Sequence, residues 1–289
     1  MKTKLSLNRL GIAACCVALA ALAHFNWPRP PTGPPPAVWT QRPVQLVGLG
    51  DSVTWGYGAG KGSSYFALLS QVDLPPRLPN LTCLNLARNG ATSFDLLSDE
   101  LPRLPQAGPY TVGLVVVTIG GNDLIHPHGR HPPSPEGMYG ASLRQAQPWI
   151  PQFGERLQEM VVGVRMAFPA GYHILLANIF DPTDGVGDIE SAPIPLPAWK
   201  DGMAVLTAYN QELESTLATI HQDPGHSIQL VDLHRLFLGH GIHYRDAGLK
   251  VYHPEDPSYW YFFNLEDPNS TGYGAIRAEF FKAMERLRF

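Results

Sequence analysis

Short, almost unbroken apolar runs alternate along this chain with stretches whose apolar residues recur every three or four positions. The runs at 44–49, 81–86, 112–119, 173–179 and 228–233 predict five strands. A run such as Leu114-Val115-Val116-Val117 has no polar face, so it predicts a strand covered on both sides. Helical spacing appears at Phe153, Leu157, Val161, Val164 and Phe168, and again at Leu206, Tyr209, Leu213, Leu217 and Ile220. A last helix is predicted through Ile276, Phe280, Met284 and Leu287, capped at Ser270 or Thr271. Two periods in alternation predict an α/β fold, a parallel sheet of about five strands with helices on both faces.

The first 43 residues follow other rules. Residues 10–23 form an uncharged stretch of 14 residues behind Lys2, Lys4 and Arg9, ending in Ala21-Leu22-Ala23. That pattern predicts a signal peptide over 1–23, or an uncleaved N-terminal anchor if residues 24–27 extend it. Ile12-Ala13-Ala14-Cys15 has the form of a lipobox, but the apolar run continues past Cys15. A Pro-rich linker is expected over 24–43, because PRPPTGPPP at 28–36 favours extended polyproline and cannot pack a core. The folded domain is expected over 44–289, with no second linker and no repeat. The chain is therefore expected outside the cytoplasm: periplasmic, secreted, or held on the outer side by a membrane tether through its N-terminal segment.

Composition narrows the partners. Hydrophobic residues make up 44% and charged residues 16%, which suits a globular domain with a full core. The net charge of −4 comes without a basic block, so no nucleic-acid partner is expected. Cys15 and Cys16 lie in the leader, so Cys83 stands alone in the domain and no disulfide can form there. Its apolar surroundings in sequence make it a small core residue.

Chemistry concentrates after three of the predicted strands. Gly50-Asp51-Ser52 follows the first, Arg88-Asn89-Gly90-Ala91-Thr92 the second, and Gly120-Gly121-Asn122-Asp123 the third. Active sites of open α/β sheets lie at the carboxyl ends of the strands. A hydroxyl, a glycine N–H and a carboxamide brought together there are the set that acyl transfer needs: a nucleophile, and donors aimed at a developing oxyanion.

These blocks, with Thr54 and Gly56 after the serine, resemble the SGNH (GDSL-type) hydrolase family over about 44–289. The resemblance implies a three-layer α/β/α, flavodoxin-like fold, hydrolysis of esters, and no metal or other cofactor. It implies Ser52 as nucleophile, with its own N–H, the Gly90 N–H and the Asn122 side chain as oxyanion hole. The family's last block, Asp-x-x-His before the final helix, is altered: Asn264 stands in the aspartate position and Asp267 in the histidine position. A carboxylate with the ordinary pKa of about 3.9 is a weak base for a serine. The sequence therefore points to a relocated base. His240, flanked by Gly239 and Gly241 after the fifth strand, comes first, then His243, then His253. Asp267 would orient or charge-stabilise that histidine.

Other clusters are weaker. His126, His128 and His131 lie in a Pro-Gly loop without an adjacent carboxylate or thiol, which reads as a solvated loop near the pocket mouth and not as a metal site. Asp181, Asp184 and Asp188 lack the terminal acidic ligand of a calcium loop and read as a flexible segment. Tyr259, Trp260 and Tyr261 suit either sugar stacking or core packing. The expected activity is an exported serine esterase or acylhydrolase acting on a small-molecule, glycan or lipid ester. The alternatives are a non-catalytic carbohydrate- or lipid-binding module and an acyltransferase to a cell-surface sugar.

Overall fold

A computed structural model of the chain describes residues 37–223 and 225–289. The expected signal peptide and most of the Pro-rich linker lie outside the described residues, as do Cys15 and Cys16. Five parallel strands, β1 (Val44–Gly50), β2 (Leu81–Asn85), β3 (Val112–Thr118), β4 (Tyr172–Ala177) and β5 (His226–Val231), form one sheet in the order β2-β1-β3-β4-β5. The helices used below are α1 (Ser52–Trp55), α2 (Tyr65–Leu68), α3 (Gly121–Ile125), α4 (Ile150–Ala167), α5 (Gly202–Thr219), α6 (Leu233–Phe237) and α7 (Ser270–Met284).

The unbroken apolar runs lie in the middle of the sheet. Every residue of β3 and β4 is buried. Alternate side chains enter opposite layers, because successive residues of a strand face opposite ways. Val47, Leu49, Val115 and Val117 pack against Phe153, Leu157 and Met160 of α4 and Tyr209 and Leu213 of α5. Leu46, Leu114, Val116 and Leu175 pack against Tyr65 of α2, Phe237 of α6 and Tyr273, Ile276 and Phe280 of α7. The result is a three-layer α/β/α fold, as the resemblance implies.

Two local expectations are corrected. Cys83 is exposed, because β2 is an edge strand paired only with β1. The last helix is capped by Asn269, whose side chain accepts from the N–H of Thr271 (2.9 Å) and Gly272 (3.1 Å). Among the described residues, no helix is long and apolar enough to cross a membrane.

β1 has β2 on one side and β3 on the other, so the chain winds away from it in both directions. Ligands of doubly wound sheets bind at such a switch point, beyond the strand ends. Ser52 follows β1 and Asn122 follows β3, on either side of that crevice.

Candidate active site

The turn out of β1 is fixed by groups that leave the serine free. Gly50 has φ +107°, and a Cβ there would lie 1.9 Å from the Thr118 carbonyl oxygen, so only glycine fits. Asp51 caps α1, accepting from the Val53 N–H (3.1 Å) and the Thr118 hydroxyl (2.7 Å). The Thr118 hydroxyl also meets the Thr54 hydroxyl (2.7 Å), which meets the Tyr65 hydroxyl (2.6 Å). Thr54 thus ties the serine's turn to β3 and α2 through a buried chain of hydroxyls. Ser52 is 8% exposed. Its N–H, in the first turn of α1, has no acceptor among the described residues.

The second block lies against this turn. The Arg88 N–H donates to the Gly50 carbonyl (2.9 Å), and Gly90 takes φ +77°. A Cβ on Gly90 would face only the His126 ring, at 3.7 Å, and its N–H also has no acceptor among the described residues. Asn122 is buried and donates from Nδ2 to the Ala91 carbonyl (2.9 Å), which leaves its second Nδ2 proton free. Beneath, the fully buried Asp123 carboxylate accepts from the Ser93 N–H (2.9 Å), the Ser93 hydroxyl and the Tyr209 hydroxyl (3.3 Å), with Arg156 Nη2 at 3.6 Å. Asp123 therefore joins the Gly90 block to the Asn122 block.

A cavity of about 150 Å³ opens beside Ser52 and Asn122. Ile119, Leu124, Tyr139, Ile179, Phe180, Trp199, Met203 and Leu206 are among the apolar residues of its wall. The segment after β4, which carries several of these residues, is folded by Asp181. That carboxylate accepts from the Thr183 N–H (2.8 Å), the Thr183 hydroxyl (2.7 Å) and the Gly185 N–H (2.6 Å). Asp181 and Asp184 are both buried, so this segment is ordered by its carboxylates and is not the flexible loop expected.

The structure does not bring the expected bases to Ser52. Asp184 gathers the N–H groups of Gly239 (2.8 Å), Gly241 (2.8 Å) and His243 (2.9 Å), which pulls that loop off to one side. The His240 ring is buried face to face between Trp260 (3.5 Å) and His253 (4.8 Å), with Nδ1 on the Ser258 carbonyl (3.0 Å). Its pKa is lowered, chiefly by burial. His243 Nε2 pairs with Asp188 (2.8 Å), and His253 Nε2 meets the Leu238 carbonyl (3.0 Å). None of the three lines the cavity, and none is hydrogen-bonded to Ser52. Glycines beside a histidine suggest access, but here they permit the turn that buries the ring. Trp260 and Tyr261 are likewise buried, which favours core packing over sugar stacking. Of the histidine loop, His128 reaches the cavity wall and pairs with Glu266 Oε1 (2.5 Å).

Asp267 is the residue beside the serine. It is 2% exposed, and the Ser52 hydroxyl is close enough to favour its ionised form. Burial nevertheless raises its pKa above the ordinary aspartate value, with a smaller push from Glu266. Asn264 Nδ2 donates to Oδ2 (2.6 Å), while Oδ1 is buried with no aligned hydrogen-bond partner. The hydroxyl thus acts on the carboxyl without a formed hydrogen bond, a common state of catalytic pairs before substrate binds. The helix cap at Asn269 explains why Asp267 is available: it is not needed to start α7. From sequence Asp267 is expected to support a histidine; the signal for another role is Pro268-Asn269, which moves the helix cap two residues on.

A second buried carboxyl lies under the turn. Glu100 is fully buried and accepts from the Gly50 N–H (2.6 Å) through Oε2. Burial, and after it the Asp51 charge, pushes its pKa up to about 8 from 4.5. The native state keeps a proton that the unfolded chain releases near 4.5, so stability falls as pH rises from there through about 8. Glu100→Gln should flatten that slope and raise stability near pH 8 by a few kcal/mol, at about 1.4 kcal/mol per pKa unit. Urea unfolding at pH 5 and pH 8 checks this, and unchanged slopes would refute it.

A fold of this class, with a serine at the switch point and N–H donors around it, defines a serine hydrolase site. Residues 49–261 match the GDSL-like lipase/acylhydrolase family, and the chain belongs to that family, whose members hydrolyse esters. Among solved structures, it is similar to an extracellular lipase from Streptomyces rimosus, with 20% identity over 83% of this chain and 99% of that one, TM-score 0.55. It is also similar to a member of the lipolytic G-D-S-L family from Veillonella parvula, with 13% identity over 84% and 100% of the two chains, TM-score 0.51. A lipase from a goat rumen metagenome shares 16% identity over 83% and 97%, TM-score 0.50. At these identities the likenesses establish the fold. None of the curated proteins matches the sequence.

Proposed function

We propose that the chain is an exported esterase that hydrolyses carboxylic esters of small to medium apolar acyl groups through an acyl-enzyme on Ser52. The carrying observation is the position of Ser52: at the switch point, beside an apolar cavity, with its own N–H and that of Gly90 unpartnered among the described residues and Asn122 alongside. In this reading Ser52 Oγ attacks the ester carbonyl, and those two N–H groups with Asn122 Nδ2 receive the oxyanion. The acyl group enters the cavity, whose volume of about 150 Å³ suits a benzene-sized group, roughly six carbons. Export rests on the basic and apolar pattern of residues 1–23.

The test is covalent labelling followed by a chain-length series. A fluorophosphonate should add to Ser52, located by peptide mass. With p-nitrophenyl esters from acetate to decanoate, kcat/KM should peak near the six-carbon acyl group. Ester or glycan binding without any labelling would sink the enzyme mechanism and favour a binding module.

A further inference from the structure

We propose that Asp267 is the general base of this site: its Oδ1 takes the Ser52 proton directly, while the Asn264 carboxamide holds Oδ2. The inference rests on the Ser52 reading and adds the group that activates it. Three observations carry it. Asp267 is buried and held by Asn264, which lines the same cavity as Ser52 together with Leu265 and Glu266, and the Ser52 hydroxyl favours its ionised form. Oδ1 has no aligned partner, whereas Oδ2 is occupied by Asn264 Nδ2 at 2.6 Å. Asn264 Oδ1 also accepts from the Asp267 N–H (3.3 Å), so one side chain fixes both the backbone and the carboxyl of Asp267. No histidine among the described residues is hydrogen-bonded to Ser52.

An asparagine suits this arrangement. A second carboxylate at 264 would repel Asp267, whereas a carboxamide donates to it without charge. Burial then lifts the base toward working pH, which makes it a better proton acceptor than a solvated aspartate. Glu266 pushes in the same direction, and the Ser52 hydroxyl and Asn264 oppose it. The other titratable groups facing it are Asp51 from the end of β1 and Tyr273 from α7, while His128 sits across from Glu266.

The steps balance. Asp267 accepts the proton as Ser52 Oγ bonds to the ester carbonyl carbon. The protonated carboxyl then gives that proton to the departing alkoxide oxygen as the carbon–oxygen bond breaks. Water enters, loses a proton to Asp267 and bonds to the acyl carbon. The bond to Oγ breaks, and the proton returns to Ser52.

Asp267→Asn keeps the shape and cannot take a proton, so kcat should fall by about 10²–10⁴ with little change in KM. In Asp267→Ala, formate should restore turnover in proportion to its concentration, which a merely structural role would not allow. Asp267→His should move the acid limb of kcat/KM to about 6.5, the imidazole value. Wild-type kcat in Asp267→Asn would overturn the assignment, as would loss of the acid limb in His128→Ala. The two readings fail differently. A wild-type chain that neither labels at Ser52 nor turns over esters overturns the hydrolase mechanism and this assignment with it. Wild-type turnover with an unimpaired Asp267→Asn overturns this assignment alone.

Discussion

Ser52→Ala should lower kcat for a short p-nitrophenyl ester by on the order of 10⁶, the scale on which a serine hydrolase loses its nucleophile. Without Oγ there is no acyl-enzyme, and Asp267 has no hydroxyl to deprotonate. What remains is the polarising effect of the Gly90 N–H and Asn122 on a bound carbonyl, worth a residual ~10³–10⁴ over water. The fold should hardly notice. The Ser52 side chain makes no aligned hydrogen bond, and the turn is held by Asp51, Thr118 and Gly50. Thermal unfolding should therefore shift by less than about 1.5 kcal/mol, the usual net worth of one hydrogen bond. Steady-state kinetics beside a melting curve separates the two effects. A variant keeping a tenth of wild-type turnover would show that another group carries the chemistry.

The five strands were legible because burial on both faces leaves a mark that needs no partner to read: Leu114 to Val117 has no polar position at all. The blocks proposed to carry the nucleophile and the donors were legible for a related reason. Each follows an apolar run directly, and in a parallel sheet that places it at a carboxyl end. Which side chain activates Ser52 is a matter of tertiary neighbours, and sequence spacing carries little of it. His240 was displaced by a carboxylate 56 positions earlier, since Asp184 draws in the Gly239, Gly241 and His243 amides and leaves the ring sandwiched against Trp260. Asp267 was freed by the shift of the helix cap to Asn269. Cys83 misled because an apolar run on an edge strand has the same letters as one in the middle of a sheet.

Asp123→Ala should cost about 3–5 kcal/mol of stability, the penalty for leaving a buried charge without its partner. Arg156 is 8% exposed and lies over the Phe94 ring at 3.8 Å, with Nε on the Ser93 hydroxyl at 2.6 Å. Among the described residues its Nη2 has no hydrogen bond, and the Asp123 carboxylate is the one charge that pairs with it there. Removing that carboxylate also strands the Ser93 N–H, the Ser93 hydroxyl and the Tyr209 hydroxyl, three buried donors. Asp123 adjoins Asn122, and Ser93 follows Gly90 by three residues, so the same loss should loosen the register of the two oxyanion donors and lower kcat with it. A second change distinguishes the charge from the packing: Asp123→Ala with Arg156→Met removes both members and should recover part of the stability, because a buried pair replaced by apolar groups often loses little. Urea unfolding of the single and double variants measures this. A loss below about 1 kcal/mol in Asp123→Ala would mean that the Gly90 and Asn122 blocks are joined by something other than this network.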